Sequence, residues 1–225
     1  MKAEKLEWDS AFFNINIAKV STSVLLSRKD FVFGETDLYY LFSDIRQPQL
    51  EAENVLLADA KVTYHKNLTK VSDDLNNNII SLTGDISEEL YQLAISSGWS
   101  SRFNKDPRLQ PKFEELYRLW LSNSVNRKIA DEVLVMKMDD QAAGLVTLKK
   151  NASAGKIGII AVQEQHKGKG WGSQLLNAVD QWYQNNGVNY AEVVTQSDNT
   201  EACRFYEKRG YTVKNTEYVY HVWRA

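Results

Sequence analysis

The sequence predicts an α/β fold, a mixed α+β sheet with helices packed on it and a smaller α/β unit in front. Residues 156–187 run strand, glycine-rich turn, helix. From about residue 79 onward, short apolar strand patterns alternate with helical ones. A polar, asparagine-rich stretch, Leu68–Asn78, separates that series from what precedes it. Together these give a small unit over residues 1–75 and a fuller one over 76–225, with the boundary near 70–80.

In chain order, Lys5–Val20 has extended, aromatic-rich character, and Trp8, Phe12 and Phe13 are too bulky and too close together for a free tail. Asp37–Ile45 has a helical pattern that Gln47-Pro48 ends. Val55–Tyr64 is a strand. Ser87–Ser96 is a helix, with Ser87 as cap and Leu90, Leu93 and Ala94 on one face. Gly98–Pro107 is a loop. Pro111–Val125 is a helix whose Phe113, Leu116, Tyr117, Trp120 and Leu121 recur at helical spacing. Val133–Met138 and Gly144–Lys149 form a hairpin across Asp139-Asp140, and a turn at Asn151–Gly155 lays Lys156–Val162 beside its second arm. The helix after the glycines carries Leu175, Leu176, Val179, Trp182 and Tyr183 on one face and closes at Asn186-Gly187. Tyr190–Thr195 is a further strand. Asp198 and Glu201 are spaced as a capping pair for a helix starting about Asn199 and stopping at Gly210. Tyr211–Val213 and Tyr218–Trp223 close the sheet as separate strands.

Composition narrows the function. With 225 residues, 43% hydrophobic and 25% charged, the chain has the makings of a sizeable core. A net charge of −2 argues against nucleic acid as a partner. The single cysteine, Cys203, cannot form a disulfide within the chain, fits a reducing compartment, and stands in a helical pattern as a packing residue. No stretch approaches the ~18 apolar residues of a membrane span, and MKAEKLEWDS lacks an apolar signal core, so no membrane insertion and a cytoplasmic location are expected. His65, His166 and His221 are scattered without ligand spacing, so no metal is expected.

The glycine-rich turn carries the chemistry. Glycines entering a helix leave backbone N–H groups unpaired and keep Cβ atoms out of a ligand's way, and the helix start adds partial positive charge. That combination cradles a pyrophosphate. The Walker spacing is absent, and Gly168, Gly170 and Gly172 give GxGxG rather than the dinucleotide GxGxxG. Gln165-His166-Lys167-Gly168-Lys169-Gly170 resembles the Q/R-x-x-G-x-G/A acyl-CoA loop of the GNAT superfamily of N-acetyltransferases, and the order of elements over residues 79–225 matches that fold.

Three segments sharpen the likeness: LEWDSAFFNINIAKV, SSRFNKDP and VVTQSDNTEACRFYEKRGY. Together they resemble the bacterial TDP-fucosamine N-acetyltransferases, over nearly the full length. Those enzymes acetylate a nucleotide-activated 4-amino-4,6-dideoxy sugar, of the TDP-4-amino-4,6-dideoxygalactose type, for cell-surface polysaccharide. The resemblance implies acetyl-CoA as co-substrate, an amino-sugar nucleotide as acceptor and a homodimer, the last suggested also by the aromatic N-terminal segment. It implies pyrophosphate binding by His166, Lys167, Gly168, Lys169, Gly170, Trp171 and Gly172, with Ser173 next in line. The pantetheine arm is to add like a strand along Ile160, Ala161 and Val162, with Asn199 offering its amide. Asn199 taken alone is a helix cap, and the two roles are compatible.

By the same resemblance Tyr206 donates a proton to the leaving thiolate; read alone, it is a core aromatic beside Phe205. Phe205 stands where the family can carry an arginine, which puts a phosphate contact there in doubt. Asp59 matches the position of an acidic residue that acts on the amine through water, where glutamate is usual; otherwise it is a surface turn acid. Arg102 and Phe103 are candidates for the nucleotide sugar, a cation for diphosphate and a ring for stacking, against a purely structural loop arginine. The reaction expected is direct transfer from acetyl-CoA to the amine. Two other readings stay open: a GNAT enzyme for another amine, such as a protein N-terminus or a small polyamine, favoured by a strongly acidic acceptor groove; and a non-catalytic acyl-CoA or nucleotide-sugar binding module.

Overall fold

The computed structural model describes residues 2–50, 54–68, 78–151 and 154–225. The first part of the chain forms β1 (Glu4–Lys5), α1 (Glu7–Phe13), β2 (Ile17–Thr22), β3 (Leu38–Ser43) and β4 (Val55–Asn67). Next come β5 (Ile79–Ser81), α2 (Glu88–Ser97), α3 (Arg102–Lys105), α4 (Phe113–Val125) and the hairpin β6 (Glu132–Met138) and β7 (Gln141–Lys150). The last part is β8 (Gly155–Val162), α5 (Trp171–Asn185), β9 (Tyr190–Gln196), α6 (Thr200–Lys208) and β10 (Thr212–Trp223). The ten strands join in one sheet, ordered β1-β2-β3-β10-β4-β9-β8-β7-β6-β5. The β2–β3 and β8–β9 pairs are parallel and the others antiparallel. The linker and boundary expected near 70–80 fall largely on residues 69–77, outside the described residues.

From α2 onward most elements form where their periodicity places them. The hairpin turns at Asp139 and Asp140 with φ of 48° and 64°, both in the left-handed region that a tight two-residue turn requires. On one face of the sheet α5 and α6 bury Leu175, Leu176, Val179, Tyr183 and Tyr206 against Val146, Leu148 and Val193. On the other, α2 and α4 bury Leu90, Leu93 and Leu121 against Val133, Val135 and Leu145.

Four expectations need correction. Asp37–Ile45 is not a helix, because Leu38–Ser43 is a strand held between β2 and β10. Leu38 and Tyr40 pack on one face with Phe13, Phe113 and Leu116, while Tyr39 and Leu41 pack on the other with Leu50 and Tyr220. A strand covered on both faces shows no polar alternation, so its period is hidden. Lys5–Val20 is not extended throughout: Glu7–Phe13 is a short helix, which Asn14 ends at φ 56°. Gly98–Pro107 is not all loop, since Arg102–Lys105 makes one helical turn. The two closing strands are one, Thr212–Trp223, with register shifts at Val213/Asn215 and Val219/Tyr220. Its polar middle pairs with β4, and bulges let such a segment stay in the ladder.

Candidate active site

The site is a gap in the sheet. β8 pairs with β9 only from Gly155–Ile157 to Ala191–Val193. Beyond Ile157, β8 stays with β7 and β9 stays with β4, so the two strands part. An irregularity of β8 against β7 between Val146 and Leu148 lies at the fork. There the Ile159 N–H donates to Thr147 Oγ1 at 2.9 Å, a side-chain hydroxyl standing in for a ladder carbonyl. Gly158 is required at this point, because a Cβ would lie 2.6 Å from the same hydroxyl oxygen.

Two cavities enter the gap. A cleft of about 890 Å³ runs between α2 and the outer end of β8 to the turn before α5, and is lined by Ile160, Ala161, Val162, Lys167, Gly172, Asn199, Phe205 and Tyr206 among others. A second of about 320 Å³ lies under α4, lined by Tyr117, Trp120, Thr147, Gly158, Thr195 and Gln196 among others. They share Ser97, Ile160, Asn199, Ala202 and Tyr206. None of the described residues lining the smaller cavity carries a charge. The acids of the larger one are largely engaged: Glu88 takes both guanidinium ends of Arg118, and Lys167 lies 2.8 Å from Glu164 and 3.5 Å from Glu201. The Glu164 carboxylate, with Glu201 behind it, raises the proton affinity of Lys167.

At the turn, Gly168 and Gly170 have φ of 72° and 85°, and a Cβ at either would meet nothing within 4 Å. They are needed for backbone conformation, not for space. The first bond across the helix start runs from the Gln174 N–H to the Gly170 carbonyl. The N–H groups of Trp171, Gly172 and Ser173 therefore face outward with no partner inside the helix. Gly172 serves packing instead. A Cβ there would sit 3.1 Å from the Phe205 ring, so this glycine lets α6 close on α5. His166 lies against Trp171 with ring centroids 5.5 Å apart, its Nδ1 buried without a partner among the described residues, and Lys169 is exposed on the same turn. Donors, helix start and glycine conformation suit a pyrophosphate. Asn199 caps α6, its Oδ1 accepting from the Ala202 N–H at 3.2 Å, so Asn199 and not Asp198 is the capping residue. Tyr206 is 4% exposed and packs on Tyr64, Phe205 and Tyr211, and burial pushes its phenol well above the ordinary value.

The remaining candidates sit elsewhere. Asp59 is not a turn acid at the surface. It lies within β4, 6% exposed, with Val219 of β10 opposite. Its Oδ2 accepts from Gln196 Nε2 at 3.5 Å, and its Oδ1 is buried without a partner among the described residues. Burial pushes its carboxyl up to about 6, against the pull of Lys105, Gln196 and Arg102. Gln196 lines the smaller cavity and so stands between that cavity and Asp59. The Arg102 guanidinium rests on the rings of Tyr40 (4.0 Å), Phe103 (4.5 Å) and Phe42 (5.5 Å), its Nη1 buried and unpartnered among the described residues. Phe103 is a core residue, 6% exposed, stacked on Phe13 at 5.8 Å and edge-on to Trp120, so its ring is not a free face for a base.

The Acetyltransferase (GNAT) family model matches residues 95–211, more than half of the chain. The chain belongs to the GNAT acetyltransferase family. It is 26% identical over 222 residues to the dTDP-fucosamine acetyltransferase of Escherichia coli O6:H1 strain CFT073, covering 96% of this chain and 95% of that one. It is 26% identical over 137 residues to the spore coat polysaccharide biosynthesis protein SpsD of Bacillus subtilis, covering 60% of this chain and 47% of SpsD. A functionally unknown conserved protein of Staphylococcus epidermidis superposes with a TM-score of 0.59 at 14% identity, over 100% of this chain and 93% of that one, a likeness of fold.

As a GNAT acetyltransferase the protein is an acetyl-CoA-dependent N-acetyltransferase. Among the described residues no helix is long and apolar enough to cross a membrane, and no group of three or more His, Cys, Asp or Glu stands together as metal ligands would. Sequence reading overlooked Thr147, Gln196, Lys105 and the buried pair of His221 Nδ1 with Asp106 Oδ2 at 2.6 Å. Lys105 and Gln196 lie inside SSRFNKDP and VVTQSDNT, but only the fold brings those segments together.

Proposed function

We propose that this GNAT acetyltransferase moves an acetyl group from acetyl-CoA to the amine of a nucleotide-activated amino-dideoxy sugar. The observation that carries the reading is the meeting of two cavities at Tyr206, one ending at the glycine turn and the other uncharged. A direct transfer needs two substrates bound at once with their reacting atoms in contact, and this arrangement supplies that. An uncharged cavity lined by rings, hydroxyls and amides suits a deoxy sugar ring better than a polyamine or a peptide N-terminus, which would call for carboxylates. The E. coli relative by its name acts on dTDP-fucosamine, and the Bacillus relative belongs to polysaccharide biosynthesis.

His166–Ser173 hold the carrier's pyrophosphate, and Ile160–Val162 pair with its pantetheine arm along the open edge of β8. Asp59 receives a proton from the acceptor ammonium through water. The amine nitrogen then bonds to the thioester carbon while a backbone N–H near Val162 steadies the carbonyl oxygen. The carbon–sulfur bond breaks, Tyr206, still protonated at neutral pH, gives its proton to the thiolate, and the second proton leaving the nitrogen returns through water to the phenolate. Arg102 serves the acceptor's diphosphate.

Tyr206→Phe tests the reading: kcat should fall about 10²- to 10⁴-fold with acetyl-CoA affinity within about twofold of the parent. Undiminished turnover removes Tyr206 from the chemistry. A thermal-shift panel of TDP-, UDP- and CMP-linked amino sugars in the presence of CoA identifies the acceptor, and no stabilisation by any of them rejects the sugar-nucleotide assignment.

A further inference from the structure

Lys105 ends the single turn of α3, one helical turn beyond Arg102, and points its charge across to the far end of β9. Its Nζ lies 2.5 Å from Asp198 Oδ2. Asp198 follows Gln196 by two positions, and Gln196 is the residue that donates to Asp59. The bridge from α3 to the β9–α6 connection is thus anchored two residues from the side chain that bonds the buried carboxyl. Every element around Asp59 contributes in a definable way. Arg102 and Lys105 of α3, Tyr117 of α4 and Asp198 just after β9 interact with it electrostatically, and Gln196 at the end of β9 bonds it. Its neighbour on β10 is the apolar Val219, and Asp9 of α1 faces Arg102.

We propose that Lys105 is a positioning residue for acetyl transfer: held by Asp198 near the Gln196–Asp59 contact, its ammonium sets how readily Asp59 takes the acceptor's proton. The proposal rests on the reading of Asp59 as the base. A cation beside a half-desolvated carboxyl favours the ionised form, and an anion beside it opposes that form. Lys105 acts in the first sense and Asp198 in the second, while Asp198 also holds Lys105 by its ion pair. The two bridge partners thus push the base in opposite directions. A bridge that only fastens α3 to β9 would be broken equally by losing either end.

The test is the acid limb of the pH profile of kcat/KM for the acceptor at saturating acetyl-CoA, each variant scaled to its own plateau. Lys105→Met should move that limb to higher pH by about half a unit or more, so that relative activity well below the limb drops about threefold. Lys105→Arg should bring it back. Asp198→Asn removes the opposing charge but also releases Lys105, two effects of opposite sign, so its shift should be clearly smaller than that of Lys105→Met. No shift in Lys105→Met, or an equal shift of the same sign in Asp198→Asn, overturns the proposal and leaves a structural bridge. Asp59→Asn separates the identity of the base from its tuning. If that variant stays active, the base is misassigned and the proposal falls with it. If it is inactive and the limb still ignores Lys105, only the tuning is wrong.

Discussion

The two ends of the gap between β8 and β9 are built from different materials. The proposed carrier end is made of backbone: left-handed glycines at 168 and 170, outward N–H groups at the start of α5 and the open edge of β8. The proposed acceptor end is made of side chains from α4, β7, β8 and β9 around the smaller cavity, with Asp59 of β4 and Arg102 of α3 beyond them, each of these two with a buried atom left unpartnered among the described residues. A backbone site comes from one contiguous stretch and offers the same groups to any pyrophosphate. A side-chain site is assembled from distant segments and is where a family can change its acceptor without disturbing its donor. On that view the proposed chemistry is divided, with the donor grip general and the acceptor choice particular to this chain.

Removing the proposed base tests the acceptor end most severely. Asp59→Asn should lower kcat/KM about 10²-fold or more, while the affinity for acetyl-CoA, measured by calorimetry, stays within about twofold. Asp59→Glu should recover part of the activity. Equal losses in acceptor turnover and carrier affinity would mean that the two ends are not separate.

The same division explains what the sequence discloses. The strand, the glycines and the amphipathic helix of residues 156–187 are local signals, each fixed by spacing within a few residues, and they form as their pattern predicts. β3 is hidden because Leu38, Tyr39, Tyr40 and Leu41 are all buried, so neither a period of two nor of 3.6 stands out. Phe103 illustrates the opposite error. An aromatic next to an arginine suggests a stacking surface, but only the fold shows its ring closed off by Phe13 and Trp120. The Lys105–Asp198 pair joins residues 93 apart in sequence, and no motif within either segment announces it. The proposed influence of that pair on Asp59 is likewise a matter of three dimensions.

If Phe103 is core and not a ligand surface, Phe103→Ala should cost about 3–5 kcal/mol of stability, read as a clear fall in Tm without ligand. Unchanged stability with weakened acceptor binding would return the ring to the site.

Stability should also report on Asp59, with a sign opposite to activity. Its carboxyl is held at about 6 in the fold against an ordinary 3.8, so the folded state binds the proton more tightly than the unfolded chain does. The stability tied to that proton is fully present below about 4 and is lost as pH rises through about 6. Above that the buried carboxylate costs as much as about 2–3 kcal/mol. Asp59→Asn should therefore raise Tm at pH 8 relative to the parent, and the gain should shrink at about pH 4. A Tm unchanged or lowered at the higher pH would mean that the ionised carboxylate is satisfied in the fold. Gain in stability with loss of turnover is the behaviour expected of a group kept for chemistry.

The carrier end should yield smaller and cleaner effects, and its glycines can be told apart. Gly170 has room for a Cβ but a φ of 85°, so Gly170→Ala strains the backbone by about 1 kcal/mol and tilts the N–H groups that follow it. Acetyl-CoA affinity should fall about five- to tenfold, a little over the penalty itself, with the acceptor KM unchanged. Gly172 has ordinary helical geometry and tight quarters, because an added Cβ would lie 3.1 Å from the Phe205 ring. Gly172→Ala must shift that ring by a few tenths of an ångström against the α6 turn that carries Tyr206, so its loss should appear in kcat and be relieved by trimming Phe205 to Leu. Identical kinetic signatures from the two alanines would show that the turn acts as a single rigid unit, and that the backbone grip and the placement of Tyr206 are coupled through α5.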